Sequence, residues 1–176
     1  VDAVYFGRGP STGILEVPGG ATFLLGTADD PLSLLAISYN DRGTGSGVSN
    51  AHLDFSETDP RFEAFVSNLS IGVKTHSNGY ATADGSLVLG SNSSLHVGTV
   101  DTLGVVTVGT NNSSHYSGTY GVDSGGDGIG LLDATQGGME LQLSELNVGR
   151  PTGRYGTTTG TFTTGDGSRV TATSTN

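Results

Sequence analysis

Leu69-Ser70-Ile71-Gly72 is one copy of a four-residue frame that recurs through this sequence: apolar, small or polar, apolar, then Gly or Ser. The other copies are Val4-Tyr5-Phe6-Gly7, Leu35-Ala36-Ile37-Ser38, Val106-Thr107-Val108-Gly109 and Leu146-Asn147-Val148-Gly149. Their final residues stand at 7, 38, 72, 109 and 149, so the spacings are 31, 34, 37 and 40 residues. Self-similarity with a period of about 20 to 50 residues is typical of stacked repeats, and the frame therefore decides the expected fold.

Two more short strands are expected after each copy of the frame, because apolar residues alternate with other residues there. In the third repeat these strands are Ser86–Gly90 and Ser94–Gly98. The inward residues of the second and third strands are expected to be Leu15/Val17 with Phe23/Leu25, Leu53/Phe55 with Phe62/Ala64, Leu87/Leu89 with Leu95/Val97, Ile129/Leu131 with Met139/Leu141, and Phe162/Thr164 with Val170/Ala172. The pattern predicts an all-β, right-handed parallel β-helix (β-solenoid) of about five coils, since parallel crossovers are almost always right-handed.

The repeat covers nearly the whole chain, so residues 1–176 are expected to form a single solenoid domain. Its coils are placed at approximately 4–34, 35–68, 69–105, 106–145 and 146–176. The 30 Gly residues indicate many turns, and 34% hydrophobic residues suffice for a narrow core. No window has the apolar periodicity of an amphipathic helix.

The charge of the chain excludes some partners. With 17 acidic and 7 basic residues the net charge is −10, which argues against nucleic acid and anionic membranes. There is no Cys and no stretch of transmembrane length, and the start at Val1 is compatible with either a processed secreted protein or a fragment.

The loops between the first and second strands are expected to leave the solenoid at one corner and to stack there. We call them the loop ridge; they span about 8–12, 39–51, 73–85, 110–128 and 150–160. Loops on a rigid scaffold often carry function, and aromatic rings can pack against the C–H faces of sugars. The predicted ligand residues of the loop ridge are His76, Tyr80, His115, Tyr116, Tyr120 and Tyr155.

The sequence contains only weak motifs for metal binding or catalysis. Asp123 and Asp127 lie in a Gly-rich stretch that offers a weak calcium site, with an ordinary turn as the alternative. The four His residues lack metal-ligand spacing, and His96 is expected to point outward between Leu95 and Val97. We find neither a nucleophile elbow nor acids clustered on an outer face, so we predict no enzymatic activity and no cofactor other than weakly bound calcium.

Four N-x-S/T sequons are a mild indication of a glycosylated surface protein. They begin at Asn68, Asn92, Asn111 and Asn112.

The tandem units 85–98 (GSLVLGSNSSLHVG) and 104–114 (GVVTVGTNNSS), the absence of Cys and the single Lys carry a resemblance to a known class. The chain resembles secreted β-helix repeat proteins such as autotransporter passengers and filamentous-haemagglutinin-like adhesins. The resemblance extends over nearly the whole chain and carries over no catalytic residue. It implies an extracellular or cell-surface location and a structural or adhesive role.

Three functions are compatible with these features. The first is an extracellular structural protein whose copies join head to tail into a fibre or surface appendage. Its end contacts are expected to involve Val4, Phe6, Leu15 and Phe23 at one end and Val170 and Ala172 at the other. The alternative is an adhesin or carbohydrate-binding module that uses the loop ridge to bind surface glycans. A polysaccharide-active β-helix enzyme has the least support.

Overall fold

The computed structural model of the protein describes residues 2–41, 47–75, 81–112, 126–153 and 156–173. Within these ranges every regular element is a β-strand, and none forms a helix that could span a membrane. The expectation of an all-β chain is therefore confirmed. The strands are β1 (Ala3–Arg8), β2 (Thr12–Gly13), β3 (Thr22–Leu25), β4 (Leu34–Asn40), β5 (Val48–Asp54), β6 (Arg61–Val66), β7 (Asn68–Lys74), β8 (Thr82–Val88), β9 (Ser94–Val97), β10 (Gly104–Asn111), β11 (Gly128–Ala134), β12 (Gly138–Val148), β13 (Thr158–Thr164) and β14 (Ser168–Ala172).

The strands form two sheets, and all the strand pairs described are parallel, as expected from the sequence. The nine-stranded sheet has the order β1-β4-β7-β10-β12-β9-β6-β3, with β14 also paired to β12. The five-stranded sheet has the order β13-β11-β8-β5-β2. Strand β12 is long because its first half pairs with β9 and β14 while its second half pairs with β10.

The register of the nine-stranded sheet aligns the five copies of the frame residue for residue. The central positions Tyr5, Ala36, Ser70, Thr107 and Asn147 form one row. The apolar positions on either side of this row face the core, and in the three middle copies they are fully buried: Leu35, Ile37, Leu69, Ile71, Val106 and Val108.

The fourth residue of every frame has a left-handed backbone. Gly7, Gly72, Gly109 and Gly149 have φ between 62° and 68°, and Ser38 has φ of 56°. L-residues with a side chain rarely adopt this conformation, which explains the preference for Gly. At Ser38 the hydroxyl donates a buried hydrogen bond of 2.8 Å to the carbonyl of Ser49.

The residues that end the five frames form one row, and a second row of small residues in the five-stranded sheet lies against it. The second row is paired in register and consists of Gly13, Ala51, Gly85, Gly130 and Gly160. A Cβ at Gly85 would lie 2.6 Å from the carbonyl oxygen of Ile37, and one at Gly72 would overlap that of Ile129. We call the two rows together the glycine seam. At this seam the sheets touch backbone to backbone.

The glycine seam corrects one expectation from the sequence. Ile129 and Leu131 were expected to face the core, but Leu132 and Ala134 are buried in their place. The cause is Gly130, whose position in the glycine seam sets the register, so that the residues two and four positions later face inward. A shift of one residue exchanges the two faces of a strand.

The third strands direct the predicted residues toward the core, but two of their pairings are shifted by two residues from the expected alignment. Leu95 pairs with Ala64 rather than with Phe62. Val170 pairs with Leu141 rather than with Met139. The core is continuous, and Phe55 and Phe62 pack with ring centroids 4.8 Å apart.

Replacing Gly72 with Ala should destabilise the fold severely, because the methyl group would collide with the Ile129 carbonyl at a left-handed position. Gly20→Ala is the matched control, since φ is 76° there and a Cβ would meet no atom within 4 Å. The control should cost about 1–2 kcal/mol of unfolding free energy. Urea denaturation should show a clearly larger loss for Gly72→Ala. Equal losses would contradict a packing role for the glycine seam.

Candidate functional site

The residues expected to bind a ligand in the loop ridge lie outside the described ranges, and so does Asp123. The loop ridge therefore stays a prediction. Asp127 is described, and its Oδ1 accepts hydrogen bonds from the backbone N and the hydroxyl of Thr157, at 3.0 and 2.6 Å. Among the described residues no group of three or more His, Cys, Asp or Glu could hold a metal ion, and the weak calcium site also stays a prediction.

A buried polar row lies where the first strands end and the loop ridge begins. Asn40, Lys74 and Asn111 pair in register and are at most 2% exposed. The Asn40 amide donates to the carbonyl of Thr82 at 3.2 Å. Burial lowers the pKa of Lys74 below its ordinary value of 10.5, and the negative charge of Asp127 partly offsets that shift.

The four sequons differ in accessibility. Asn111 is 2% exposed and its amide donates to the carbonyl of Gly126, which argues against a glycan there in the folded protein. Asn112 and Asn92 are exposed, and Asn68 is half-buried. The Asn92 amide donates to Asp59 at 2.7 Å, and hydrogen bonds from Ser91 and Asn92 lower the pKa of that carboxyl.

One outward row of the nine-stranded sheet has a different type of side chain on each of its strands. Phe65 of β6, His96 of β9, Glu140 of β12 and Arg169 of β14 are paired in succession. The Phe65 and His96 rings stack with centroids 4.4 Å apart and an interplanar angle of 7°. The Nδ1 of His96 lies 3.8 Å from a carboxylate oxygen of Glu140. His96 thus points outward as expected, but its side chain is only 31% exposed.

Two loops of the same design flank this row. Loop 26–33 joins β3 to β4, and loop 98–103 joins β9 to β10. In each, a left-handed Gly precedes a Thr whose backbone N donates to a carbonyl three residues later: Thr27 to Asp30 at 3.0 Å, and Thr99 to Thr102 at 2.8 Å. The Thr27 hydroxyl accepts a hydrogen bond of 3.0 Å from the backbone N of Asp30. The Thr99 hydroxyl accepts one of 3.0 Å from the backbone N of Thr102.

A cavity of about 550 Å³ lies between the two loops. We call it the corner groove. It opens at this point because β6 and β7 are joined by Ser67 alone, so the repeat between the two loops has no loop of its own. The lining residues are Ala28, Pro31, Phe65, Val66, Ser67, His96, Gly98, Thr99, Val100, Asp101, Thr102, Glu140 and Gln142. A smaller cavity of about 370 Å³ continues along the row past Glu140 to Arg169.

The sequence reasoning missed the corner groove, although one signal was present. The segments 26–30 (GTADD) and 98–102 (GTVDT) share Gly, Thr and Asp at the same positions, and each follows a third strand. Aligning them would have predicted matched loops two repeats apart. The outward row Phe65, His96 and Glu140 could be recognised only from the register of β6, β9 and β12, which the sequence does not give.

Comparison with models of protein families, with curated proteins and with solved structures finds no match to this chain. The arrangement of its own residues is therefore the basis for a functional conclusion.

Replacing Lys74 with Met should remove a pH dependence of stability. Because burial lowers the folded-state pKa of Lys74, the unfolded chain binds more protons between that pKa and 10.5. The wild-type unfolding free energy should therefore rise relative to Lys74→Met as the pH increases from about 7 to about 10. Thermal unfolding of both proteins across this range gives the difference, in which contributions common to the two proteins cancel. A difference that is constant or falls with pH would contradict the assignment.

Proposed function

We propose that this chain is a right-handed β-solenoid of about five coils that acts outside the cell as a carbohydrate-binding module of the adhesin type, with the corner groove as its ligand site. Three rows of parallel strands support the solenoid, since each coil supplies one strand to each row. The rows are β1, β4, β7, β10 and the second half of β12; β2, β5, β8, β11 and β13; and β3, β6, β9, the first half of β12 and β14. Right-handed winding follows from the general rule for parallel crossovers.

The observation that carries the ligand proposal is the convergence of aromatic and polar side chains in one concave site. Ligand pockets are typically apolar clefts of about 300–1,000 Å³ with a few polar groups that fix orientation. In the corner groove, Phe65 and Val100 provide apolar surface, while Asp101, Glu140 and Gln142 provide hydrogen-bonding groups for hydroxyls. Sugars present both kinds of surface, with C–H faces and hydroxyl edges.

A location outside the cell is supported by the resemblance to secreted repeat proteins and by the sequons. The chain is expected to act by binding rather than by catalysis.

End-to-end self-association into a fibre is a second candidate, favoured by the state of the terminal strands. Strands β1 and β3 lie at the edges of one sheet and β2 at the edge of the other. Val4, Phe6 and Phe23 in these strands are only partly buried, while Val170 at the opposite end is 37% exposed. Leu15 is also partly buried against the core, but it lies after β2 and not in the strand expected there.

A second copy translated along the axis would continue the same parallel pairing, because all the strand pairs described are parallel. Val170 and Ala172 of one copy would then lie beneath Phe23 and Leu25 of the next. Such a heterologous contact does not close on itself and produces a filament.

Removing apolar surface from the corner groove should weaken glycan binding. Phe65→Ala should reduce the affinity for a glycan identified on an array by about tenfold or more, equivalent to ~1.4 kcal/mol or more. Val100→Ser should have a smaller effect in the same direction. Ile14→Ser is the matched control, because Ile14 is 79% exposed and Val100 81%, but only Val100 lines the groove. An equal effect of Val100→Ser and Ile14→Ser, or no array ligand at all, would contradict the proposal.

Charge placed at either end should abolish self-association. Phe6→Asp and Val170→Asp should each convert concentration-dependent assemblies, measured by light scattering and electron microscopy, into monomers. Circular dichroism checks that each variant is folded, and Val100→Asp, on a lateral loop, should assemble like the wild type. A wild-type chain that stays monomeric at high concentration would exclude another copy as the partner of these ends.

A further inference from the structure

We infer that the saccharide bound by the corner groove carries protonated amino groups, as in an oligomer of glucosamine. This inference rests on the carbohydrate-binding function proposed above and specifies its ligand class. The relevant features are the signs of the charges around the groove and the position of its aromatic floor.

The charged residues that line the corner groove are acidic. Asp101 and Glu140 are in the described lining, which contains no Lys or Arg. The matched loop 26–33 lines the groove with Ala28 and Pro31 and carries Asp29 and Asp30 between them in sequence. The whole chain has a net charge of −10. A concave surface with charges of one sign attracts ligands of the opposite sign, and the attraction is stronger where the walls exclude water.

The two acidic side chains of the lining come from different elements of the fold. Glu140 follows His96 along the outward row, and Asp101 lies in loop 98–103, while the stacked Phe65 and His96 rings form the floor between the loops. A sugar bound between the two loops would lie beside both carboxylates, with which an ammonium group forms charge-assisted hydrogen bonds. Arg169, the next residue in the row, lines the smaller cavity and marks where the acidic surface ends.

A basic peptide is the competing cationic ligand, but the groove lacks the usual means of binding an extended chain. Peptides commonly add as a strand to a free sheet edge. The floor of the corner groove is formed by β6, β9 and the first half of β12, and each is paired on both sides. Recognition therefore depends on side chains, which suits a saccharide.

The test compares short glucosamine oligomers with the same oligomers after N-acetylation, by calorimetry on the full 176-residue chain. The two probes share a backbone and differ in the charge of the amino group. We expect the glucosamine oligomers to bind at least tenfold more tightly at low salt, with an advantage that shrinks as salt increases. Glu140→Gln should reduce that advantage several-fold, whereas the exposed control Glu16→Gln should leave it unchanged.

Each other outcome overturns a defined part of the argument. Equal or tighter binding of the acetylated oligomers, or an advantage that Glu140→Gln leaves intact, would overturn the amino-sugar class while preserving carbohydrate binding. Oligolysine that binds as tightly as the glucosamine oligomers would replace the saccharide with a basic peptide. Absence of binding by every saccharide tested would overturn both the inference and the proposed function.

Discussion

The contact between the two rows of the glycine seam is the constraint on which the rest of the structure depends. At most positions of this contact a Cβ on one strand would collide with the backbone of the other, as it would at Gly85 and Gly72. The left-handed residue that ends each frame turns the chain there, and Gly adopts that conformation without strain. Ser38 replaces Gly once, and its buried hydrogen bond to the Ser49 carbonyl offsets part of the cost. The seam thus fixes both the bend of each repeat and the register of the strand that follows.

The seam also explains how much of the fold could be predicted. The frame identified the first strands and their register because apolar alternation and a terminal Gly coincide at Leu69–Gly72 and its copies. In β11 the sequence Gly130-Leu131-Leu132 offers two apolar candidates, and alternation alone cannot choose between them. The choice is made by Gly130, because only a residue without a side chain fits against Gly109. A sequence signal for this existed, since an inward apolar residue also follows two positions after Gly85 and Gly160.

The corner groove was harder to predict because it results from differences between repeats. The connections between third and first strands are loop 26–33, the single residue Ser67, loop 98–103, and none within the continuous β12. The cavity exists because a short connection lies between two long ones. Its floor joins Phe65, His96 and Glu140, which are far apart in sequence and become neighbours only through strand pairing. Inward rows repeat because each must fill the same core, whereas an outward row is free to change from one strand to the next. A search for the repeated frame therefore identifies the core strands and misses the outward residues that form the floor of the corner groove.

The two proposed functions would reinforce each other geometrically. The corner groove is lined by residues of loops 26–33 and 98–103 and by the outward row on β6, β9 and β12. The proposed end contacts instead involve edge strands such as β1, β2 and β3, so a ligand and a second copy would bind different surfaces. Neighbouring parallel strands are about 4.8 Å apart, so the proposed solenoid of five coils would span roughly 24 Å along its axis. A head-to-tail filament would present one groove per copy at about that interval, all in the same direction relative to the axis. Against a polymeric saccharide with repeated amino groups, such an array gains avidity from a high effective concentration even when each groove binds weakly.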